Sequence, residues 1–291
     1  MASSARVVLA TSTVGLERDS DMVPLLDALR AQGLDAEAVR WDEPGYDWAA
    51  CDSVVIRSTW DYSGRLEEYL GWADAVAAVT RLHNPAGVVR WNCDKRYLGD
   101  LADRAVPVVP TAFLAPGEEL EPPEYEQFVV KPTVSAGARN SARYTADQAA
   151  LAAAHVRSLH AAGETAMVQP YLSRIAEGER ALVFLGGEFS HALRKGPVLT
   201  DIGVIDNARV PHPDLIVHQP SAAEREVAAA AIAAVPGADG GLLIVRTDLA
   251  LADDGSPVVM ELELIEPFLF FAHHPEGVHR LARVLREWTA A

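Results

Sequence analysis

Two apolar runs on either side of Asp253-Asp254-Gly255 constrain the fold more than any other feature of the sequence. An Asp-Gly turn between such runs predicts a β-hairpin in which Asp248 lies opposite Glu261 and Arg246 lies opposite Glu263. Because side chains alternate along a strand, these four residues share one face. The other face predicts a core made of Leu243, Val245, Thr247, Leu249, Leu251, Val258, Met260, Leu262 and Leu264.

The polar face of this hairpin predicts a metal site. Two carboxylates directly opposite each other repel, and a hard divalent cation such as Mg²⁺ or Mn²⁺ would remove that penalty. Asp248, Glu261 and Glu263 are therefore the candidate ligands. The alternative is a solvated face with a surface pair between Arg246 and Glu263. The apolar neighbours expected on the same face favour a covered site, and they are Ile244, Val259 and Ile265.

A second hairpin is predicted around Gly186-Gly187. With this pair as the turn, Glu179 faces Arg194, and Lys195 follows. One interpretation is an ordinary cross-strand ion pair. The other is a glutamate that binds a ribose and an arginine that faces phosphate.

Two lysines point to an anion. Lys131 ends the apolar strand 128–130, where a charge is costly unless it meets an anion or a carboxylate. The small-residue loop 133–138 follows, and such a loop can bring backbone N–H groups close to phosphate oxygens, although many such loops bind nothing. It is not a Walker A loop. Lys95 lies in a segment, 91–101, that is predicted to be helical.

The first 85 residues alternate between strand and helix patterns, which predicts a small parallel-sheet domain. The strand 54–56 ends at Arg57, and open α/β sheets place ligands at this end of their strands. A guanidinium can grip a substrate carboxylate with two hydrogen bonds. The other candidate substrate residues are Ser58, Thr59, Trp60 and Asp61. Alternatively, Arg57 pairs with a nearby acid and Trp60 fills a domain interface.

The amino-acid composition narrows the classes of binding partner and the cellular compartment expected for this chain. Lys and Arg number 25 against 41 Asp and Glu, a net charge of −16, which argues against nucleic acid. Two cysteines cannot form a disulfide framework and suit a reducing cytoplasm. The apolar stretch at the N-terminus is too short for a signal peptide, and no run approaches 18 apolar residues, so no membrane partner is expected.

Taken in order, these segments resemble the ATP-grasp superfamily, in its glutathione-synthetase-like branch, over residues 91–270. The matching motifs are Asp94-Lys95, Val130-Lys131-Pro132, Ser135-Ala136-Gly137, Val168-Gln169-Pro170-Tyr171-Leu172, Glu177-Gly178-Glu179, Arg194-Lys195, Arg246-x-Asp248 and Glu261-x-Glu263. The resemblance implies an α/β fold with α+β lobes that grasp ATP, behind a Rossmann-like preATP-grasp domain. The expected domains are a substrate domain at 1–90, a lid at 107–172, and a lobe with the metal site at 91–106 and 173–291.

The resemblance also implies ATP and Mg²⁺ as cofactors and assigns their residues. Lys95 and Lys131 would bind phosphates beneath the loop of Ser135, Ala136 and Gly137. Gln169, Tyr171 and Leu172 would border the adenine, and Glu179 would hold the ribose. Two Mg²⁺ ions would bind Asp248, Glu261 and Glu263, although the family usually has Glu-x-Asn at the last two positions. Arg194, Lys195 and Arg246 would be catalytic.

Residues 57–62 and 260–267 are similar to a narrower group of cyclo-ligases, which close O-ureido-serine to cycloserine in antibiotic biosynthesis. The resemblance implies a cytoplasmic ligase that activates a small, amino-acid-like carboxylate as an acyl phosphate and forms a C–N bond, most specifically by closing O-ureido-D-serine to D-cycloserine. An intermolecular amide ligase and a non-catalytic nucleotide-binding protein stay open, as does a homodimer. Residues 201–209 depart from the Arg-Val-Gln and glycine pair found in many relatives.

Overall fold

The computed structural model describes residues 4–121, 124–208, 214–238 and 241–290. The first sheet is parallel, with the order β2-β1-β3-β4, which confirms the predicted strand and helix alternation. Its strands are β1 (Arg6–Thr11), β2 (Asp35–Arg40), β3 (Ser53–Ser58) and β4 (Arg81–His83). The helices of this part of the chain are α1 (Thr13–Arg18), α2 (Met22–Ala31), α3 (Leu66–Val79), α4 (Ala86–Asn92) and α5 (Tyr97–Asp103).

The single helix predicted over 91–101 is wrong, because α4 and α5 are separate. The side chain of Asp94 accepts a hydrogen bond from the Arg96 amide at 2.9 Å, and the Lys95 amide donates to the Thr133 carbonyl at 2.9 Å. These bonds take the place of helical ones at the break and bring Lys95 to the loop that follows Lys131.

The second sheet is antiparallel, with the order β5-β8-β6-β7, and helix α6 (Ala149–Ala161) packs on it. Its strands are β5 (Ala112–Leu114), β6 (Gln127–Pro132), β7 (Ala142–Thr145) and β8 (Ala166–Pro170). Lys131 is the next-to-last residue of β6, as predicted.

The third sheet is also antiparallel, with the order β11-β10-β9-β12-β13. Its strands are β9 (Glu179–Leu185), β10 (Glu188–Lys195), β11 (Ile216–Val217), β12 (Ile244–Leu251) and β13 (Pro257–Glu263). Helix α7 (Ala222–Ala233) lies between β11 and β12, and helix α8 (Glu276–Ala290) follows β13. Residues of α8 share a core with β1 and α2, so the third sheet is joined to the first. None of the helices in the described part of the chain combines the length and apolar character needed to cross a bilayer.

The β12–β13 hairpin has the predicted pairs at its polar end, Asp248 with Glu261 and Arg246 with Glu263. Nearer the turn the register differs by one residue, since Leu249 pairs with Val259 and Met260 forms a bulge. The bulge moves Val259 into the core and Met260 onto the cavity, so the predicted faces of these two residues are exchanged.

The β9–β10 hairpin contradicts the predicted pair of Glu179 with Arg194. Its register shifts between Phe189 and His191, and beyond the shift Lys195 lies opposite Glu179. Arg194 instead lies opposite Arg180. One extra residue in β10 therefore replaces the predicted arginine by its lysine neighbour.

Candidate active site

A cavity lies between the second and third sheets and contains most of the predicted site residues. It is lined by Lys95, Lys131, Ser135, Gly137, Gln169, Tyr171, Leu172, Glu179, Lys195, Arg246, Asp248, Glu261 and Glu263, together with Val109, Val129, Ala138, Ser141, Pro170, Ile175, Pro197, Val198, Leu199 and Met260. Residues as far apart in the sequence as Lys95 and Glu263, 168 positions, thus face one space.

Four cations are almost fully buried at the polar end of this cavity: Lys95, Lys131, Lys195 and Arg246. Lys131 Nζ lies 3.0 Å from Glu261 Oε1, and Lys195 Nζ lies 2.6 Å from Asp248 Oδ2 and 3.1 Å from Glu179 Oε2. Burying a charge is costly unless it is paired, and these pairs meet that requirement.

Lys95 is different, because its ammonium group bonds only neutral oxygens among the described residues. Its Nζ donates to the Ser135 carbonyl at 2.7 Å and contacts Ser135 Oγ at 3.4 Å, while the residue is only 8% exposed. A buried ammonium without a carboxylate partner is a strong attractor for an anion. Its position beside the small-residue loop makes that anion a phosphate candidate.

Two carboxylates of the hairpin, Asp248 and Glu261, stay ionised at neutral pH. Burial opposes the charge of Asp248, but Arg246 and Lys195 outweigh it and hold the pKa of this carboxyl well below its usual range. Burial likewise opposes the charge of Glu261, yet Lys131 and Lys95 lower its pKa to about 2. Both side chains are therefore anionic oxygen donors.

Two further glutamates have raised pKa values. Burial, reinforced by the charges of Asp248 and Glu261, raises the pKa of Glu263 even though Arg246 contacts it. Burial and the charge of Glu263 raise the pKa of Glu266 to about 8. Glu266 lies in the segment 260–267 that resembles the cyclo-ligases, but the sequence indicates no role for it, because its environment depends on side chains from distant segments.

The loop after β6 has backbone conformations that favour close approach to a ligand. Gly137, Ala138 and Asn140 have φ values of 63°, 57° and 54°, in the left-handed region that non-glycine residues rarely adopt. Arg139 Nη2 donates to Ser63 Oγ at 2.6 Å, which ties the loop to the N-terminal part of the chain. Backbone conformations of this kind cluster at ligand-binding sites.

The donor set fits Mg²⁺ bound together with a nucleotide. In the described part of the chain, no three histidine, cysteine or acidic side chains are close enough together to hold a metal. Mg²⁺ in nucleotide sites takes one or two carboxylates and completes its six ligands with phosphate oxygens and water. Asp248, Glu261 and Glu263 offer such carboxylates beside the four buried cations.

The other end of the cavity is apolar, as an adenine ring requires. Leu172, Ile175 and Val109 form a core cluster there, and Met260 packs against it from the bulge. Gln169 is buried, and its Nε2 donates to Thr111 Oγ1 at 2.9 Å. The face of Tyr171 is covered by Arg143, whose guanidinium carbon lies 3.7 Å from the ring centroid.

Among the residues predicted for nucleotide binding, metal binding and catalysis, two do not line the cavity, Ala136 and Arg194. The stem of Arg194 packs over Gly178, where an added methyl group would lie 2.6 Å from it, and the position facing the cavity is taken by Lys195. Conversely, sequence reasoning did not single out Pro197, Val198 and Leu199. Arg209, in the departing segment, lies outside the described residues.

The predicted substrate turn is more enclosed than expected. Arg57 has a fully buried side chain, with Nη2 3.1 Å from Asp19 Oδ2 and 3.9 Å from Asp21 Oδ2, and with Nη1 donating to the Pro267 carbonyl at 3.1 Å. This placement agrees with the alternative, an ion pair with a nearby acid, and it does not leave the guanidinium open to a substrate.

The rest of that turn divides in two. Ser58 and Thr59 are fully buried and bond Thr11 Oγ1 and Tyr69 OH at 2.7 and 3.0 Å. Trp60 and Asp61 are half-buried. Trp60 packs near Phe268, with ring centroids 6.4 Å apart, so one side of the turn is apolar.

Comparison with known proteins gives a whole-chain relationship. Residues 7–84 match the family described as D-cycloserine synthetase DcsG, N-terminal domain. The cycloserine biosynthesis protein DcsG of Streptomyces lavendulae is 39% identical over 295 residues, covering 97% of this chain and 98% of that protein. The crystal structure of D-cycloserine synthetase DcsG matches with a TM-score of 0.87 and 36% identity, covering 98% of this chain and 100% of that one.

A more distant structure shows the fold alone. The ATP-grasp ligase PsnB, solved with the precursor peptide PsnA2 and AMPPNP, has a TM-score of 0.65 and 17% identity, with 98% of each chain covered. The predicted α/β ATP-grasp fold is thereby confirmed. The chain belongs to the D-cycloserine synthetase DcsG family, a family of ligases with the ATP-grasp fold.

Proposed function

We propose that this protein is an ATP- and Mg²⁺-dependent ligase that closes O-ureido-D-serine to D-cycloserine. The relationship of this chain to D-cycloserine synthetase DcsG supports the product. The observation that carries the ATP requirement is Lys95, a buried ammonium that bonds only neutral oxygens among the described residues and faces the loop at 135–138.

The nucleotide would lie along the cavity with its phosphates at the cationic end. Lys95 and Lys131 would contact phosphate oxygens, and Glu179 would accept hydrogen bonds from the ribose. Leu172 and Met260 would pack on the adenine. Lys131 now pairs with Glu261, so a phosphate arriving there would exchange one anionic partner of Lys131 for another.

The reaction balances as two substitutions followed by a hydrolysis. A carboxylate oxygen of the substrate attacks the γ-phosphorus of ATP, giving an acyl phosphate and ADP. The ureido nitrogen that is bonded to oxygen then attacks the acyl carbon, closing the ring and releasing phosphate. The product lacks the carbamoyl group, so water must remove that group as carbon dioxide and ammonia.

The protein contributes positioning and charge. Arg246 and Lys195 are held rigidly by Asp248 and would stabilise the negative charge that develops on the transferring phosphoryl group. Asp248, Glu261 and Glu263 would hold Mg²⁺, which when bound supplies neutralisation of phosphate oxygens. Closure of the cavity by Val198 and Leu199 would exclude water from the acyl phosphate.

We further propose that Trp60 provides an apolar wall for the amino-acid end of the substrate, since it is the half-buried aromatic of its turn. The cytoplasm is the proposed location, because Cys51 and Cys93 are both buried thiols. Residues 1–90, 107–172, and 91–106 with 173–291 are the proposed domains.

The test mixes purified protein with ATP, Mg²⁺ and O-ureido-D-serine, and follows ADP and cycloserine together. Equal amounts of both are expected, with little product from the L-isomer or from a Lys95→Met variant. ADP formation that requires an added amine and gives no ring would indicate an intermolecular ligase. Absence of ADP with every small carboxylate would refute catalysis and favour a nucleotide-binding role.

A further inference from the structure

Residues 266–271, here called the strap, follow β13 and are held by side chains from four other parts of the chain. Four consecutive carbonyls of the strap each accept a hydrogen bond from a different side chain. The pairs are Trp60 with Glu266 O at 3.2 Å, Arg57 with Pro267 O at 3.1 Å, Arg246 with Phe268 O at 3.0 Å, and His191 with Leu269 O at 2.7 Å. Because the strap lies in no sheet ladder, these donors determine its path.

Two residues from the N-terminal part of the chain, Arg57 and Asp21, both bond the backbone of the strap. The amides of Leu269 and Phe271 both donate to the Asp21 carboxylate, each at 3.2 Å. Phe270 lies between them with a φ of 57°, a conformation that needs support from its surroundings. Arg57 contacts Asp21 and the strap at once, so it links the end of β3 to the strap.

The other side of the strap meets the proposed metal site. Arg246 Nη1 binds the Phe268 carbonyl, while its Nε and Nη2 each lie 2.9 Å from an oxygen of Asp248. A guanidinium is planar, with its donors in a fixed fork. A displacement of the Phe268 carbonyl would therefore rotate the plane that orients Asp248.

We propose that Arg57 is a positioning residue that acts through the adjacent carbonyls of Pro267 and Phe268 to fix the Arg246 guanidinium and the Asp248 carboxylate. The inference rests on the proposed function only in requiring that Asp248 bind Mg²⁺ with the nucleotide. It explains why a buried arginine lies at the end of β3: its bonds connect the N-terminal sheet to the nucleotide site. In this role Arg57 does not contact the substrate directly.

The decisive variant is Arg57→Lys, which keeps the charge but cannot bond the Pro267 carbonyl and both aspartates together. Calorimetry would measure the Kd of ADP with Mg²⁺ and with EDTA. We expect the Kd with Mg²⁺ to rise about tenfold, the scale of one hydrogen bond to a charged group, while the Kd in EDTA changes by less than about twofold. Asp21→Asn should act in the same direction, because an amide has only one acceptor oxygen for two strap amides.

The matched control is Arg180→Lys, since Arg180 is also a buried arginine that contacts carboxylates but lies outside the strap and the cavity. It should lower thermal stability and leave the ratio of the two Kd values unchanged. Hydrogen exchange would add an independent measurement, with faster exchange of the Leu269 and Phe271 amides expected in Arg57→Lys and Asp21→Asn but not in Arg180→Lys.

Three results would overturn the inference. The first is that the ratio of the ADP Kd in EDTA to the Kd with Mg²⁺ is the same in Arg57→Lys and Asp21→Asn as in the wild type. The second is an equal loss of affinity with and without Mg²⁺, which would indicate general destabilisation. The third is a raised KM for the carboxylate substrate with normal Mg²⁺-dependent ADP binding, which would make Arg57 a substrate ligand. Failure of the wild type to form cycloserine would refute the proposed function and leave this binding test intact.

Discussion

Asp248 and Glu261 lie opposite each other on the same hairpin, yet their neutralisation should have different effects on stability. Asp248 is 2% exposed and lies within 2.9 Å of three donor nitrogens, two from Arg246 and one from Lys195. The Glu261 side chain is 26% exposed, and its one ionic contact among the described residues is to Lys131. Asp248→Asn would remove the carboxylate shared by two buried cations and leave Lys195 with Glu179 alone and Arg246 with Glu263 alone. Glu261→Gln would instead affect one cation, Lys131, which borders the open cavity.

The magnitudes follow from these contacts. Breaking a buried ion pair from one side costs about 3–5 kcal/mol, and this range applies to Asp248→Asn. For a chain of this size that loss lowers the melting temperature by roughly 6–10 °C. Glu261→Gln removes one partly exposed pair and should cost about 1 kcal/mol or less. Both variants should lose at least ~100-fold in kcat, because each removes a group that stabilises the transition state.

The assay compares calorimetric melting of the nucleotide-free variants with their rates of ADP formation. Equal stability loss in the two variants would refute the electrostatic account of the site. Undiminished activity in both would refute the metal assignment. The pH dependence provides a further check, because the lowered pKa of Asp248 stabilises the fold above the ordinary aspartate value, and that stabilisation should be lost as the pH falls through the folded-state pKa in the wild type but not in Asp248→Asn.

Three other outcomes are expected. Lys131→Met should weaken ATP binding by roughly 1.5–3 kcal/mol in calorimetry while the protein stays folded, and unchanged affinity would contradict a phosphate contact. Excess EDTA should abolish turnover, and full activity in its presence would exclude a metal requirement. Because the pKa of Glu266 is raised to about 8, its buried carboxyl favours the folded state less as the pH rises from about 4.5 to about 8, so Glu266→Gln should be more stable than the wild type near the upper limit and similar near the lower one. Urea unfolding at the two pH values measures this difference. An equal change in the free energy of unfolding between these pH values in the variant and the wild type would contradict it.

The N-terminal sheet was predictable because its strands and helices have clear apolar periodicity. The position of Arg57 at the end of β3 was predictable for the same reason. Its partners were not, since Asp19 and Asp21 precede α2 and are 38 and 36 residues away in the sequence. Periodicity reports which face of an element is buried, but it does not report which charged groups from other elements meet there. The enclosed state of Arg57 therefore became visible only in the structure.

The two hairpins show the same limit at the level of single residues. In the β12–β13 hairpin, the structure has a longer turn than the sequence suggested, and the bulge at Met260 restores the register so that Asp248 still faces Glu261. In the β9–β10 hairpin, a bulge near Ser190 has no such compensation, and Lys195 replaces Arg194 opposite Glu179. Exchanging neighbouring residues of the same charge leaves the overall charge pattern unchanged, so composition could not separate them. The difference matters chemically, because the residue beside Asp248 is then Lys195 and not an arginine. Its compact ammonium group makes one short bond to Asp248 and one to Glu179. The planar guanidinium of an arginine would instead favour two parallel bonds to one of these carboxylates.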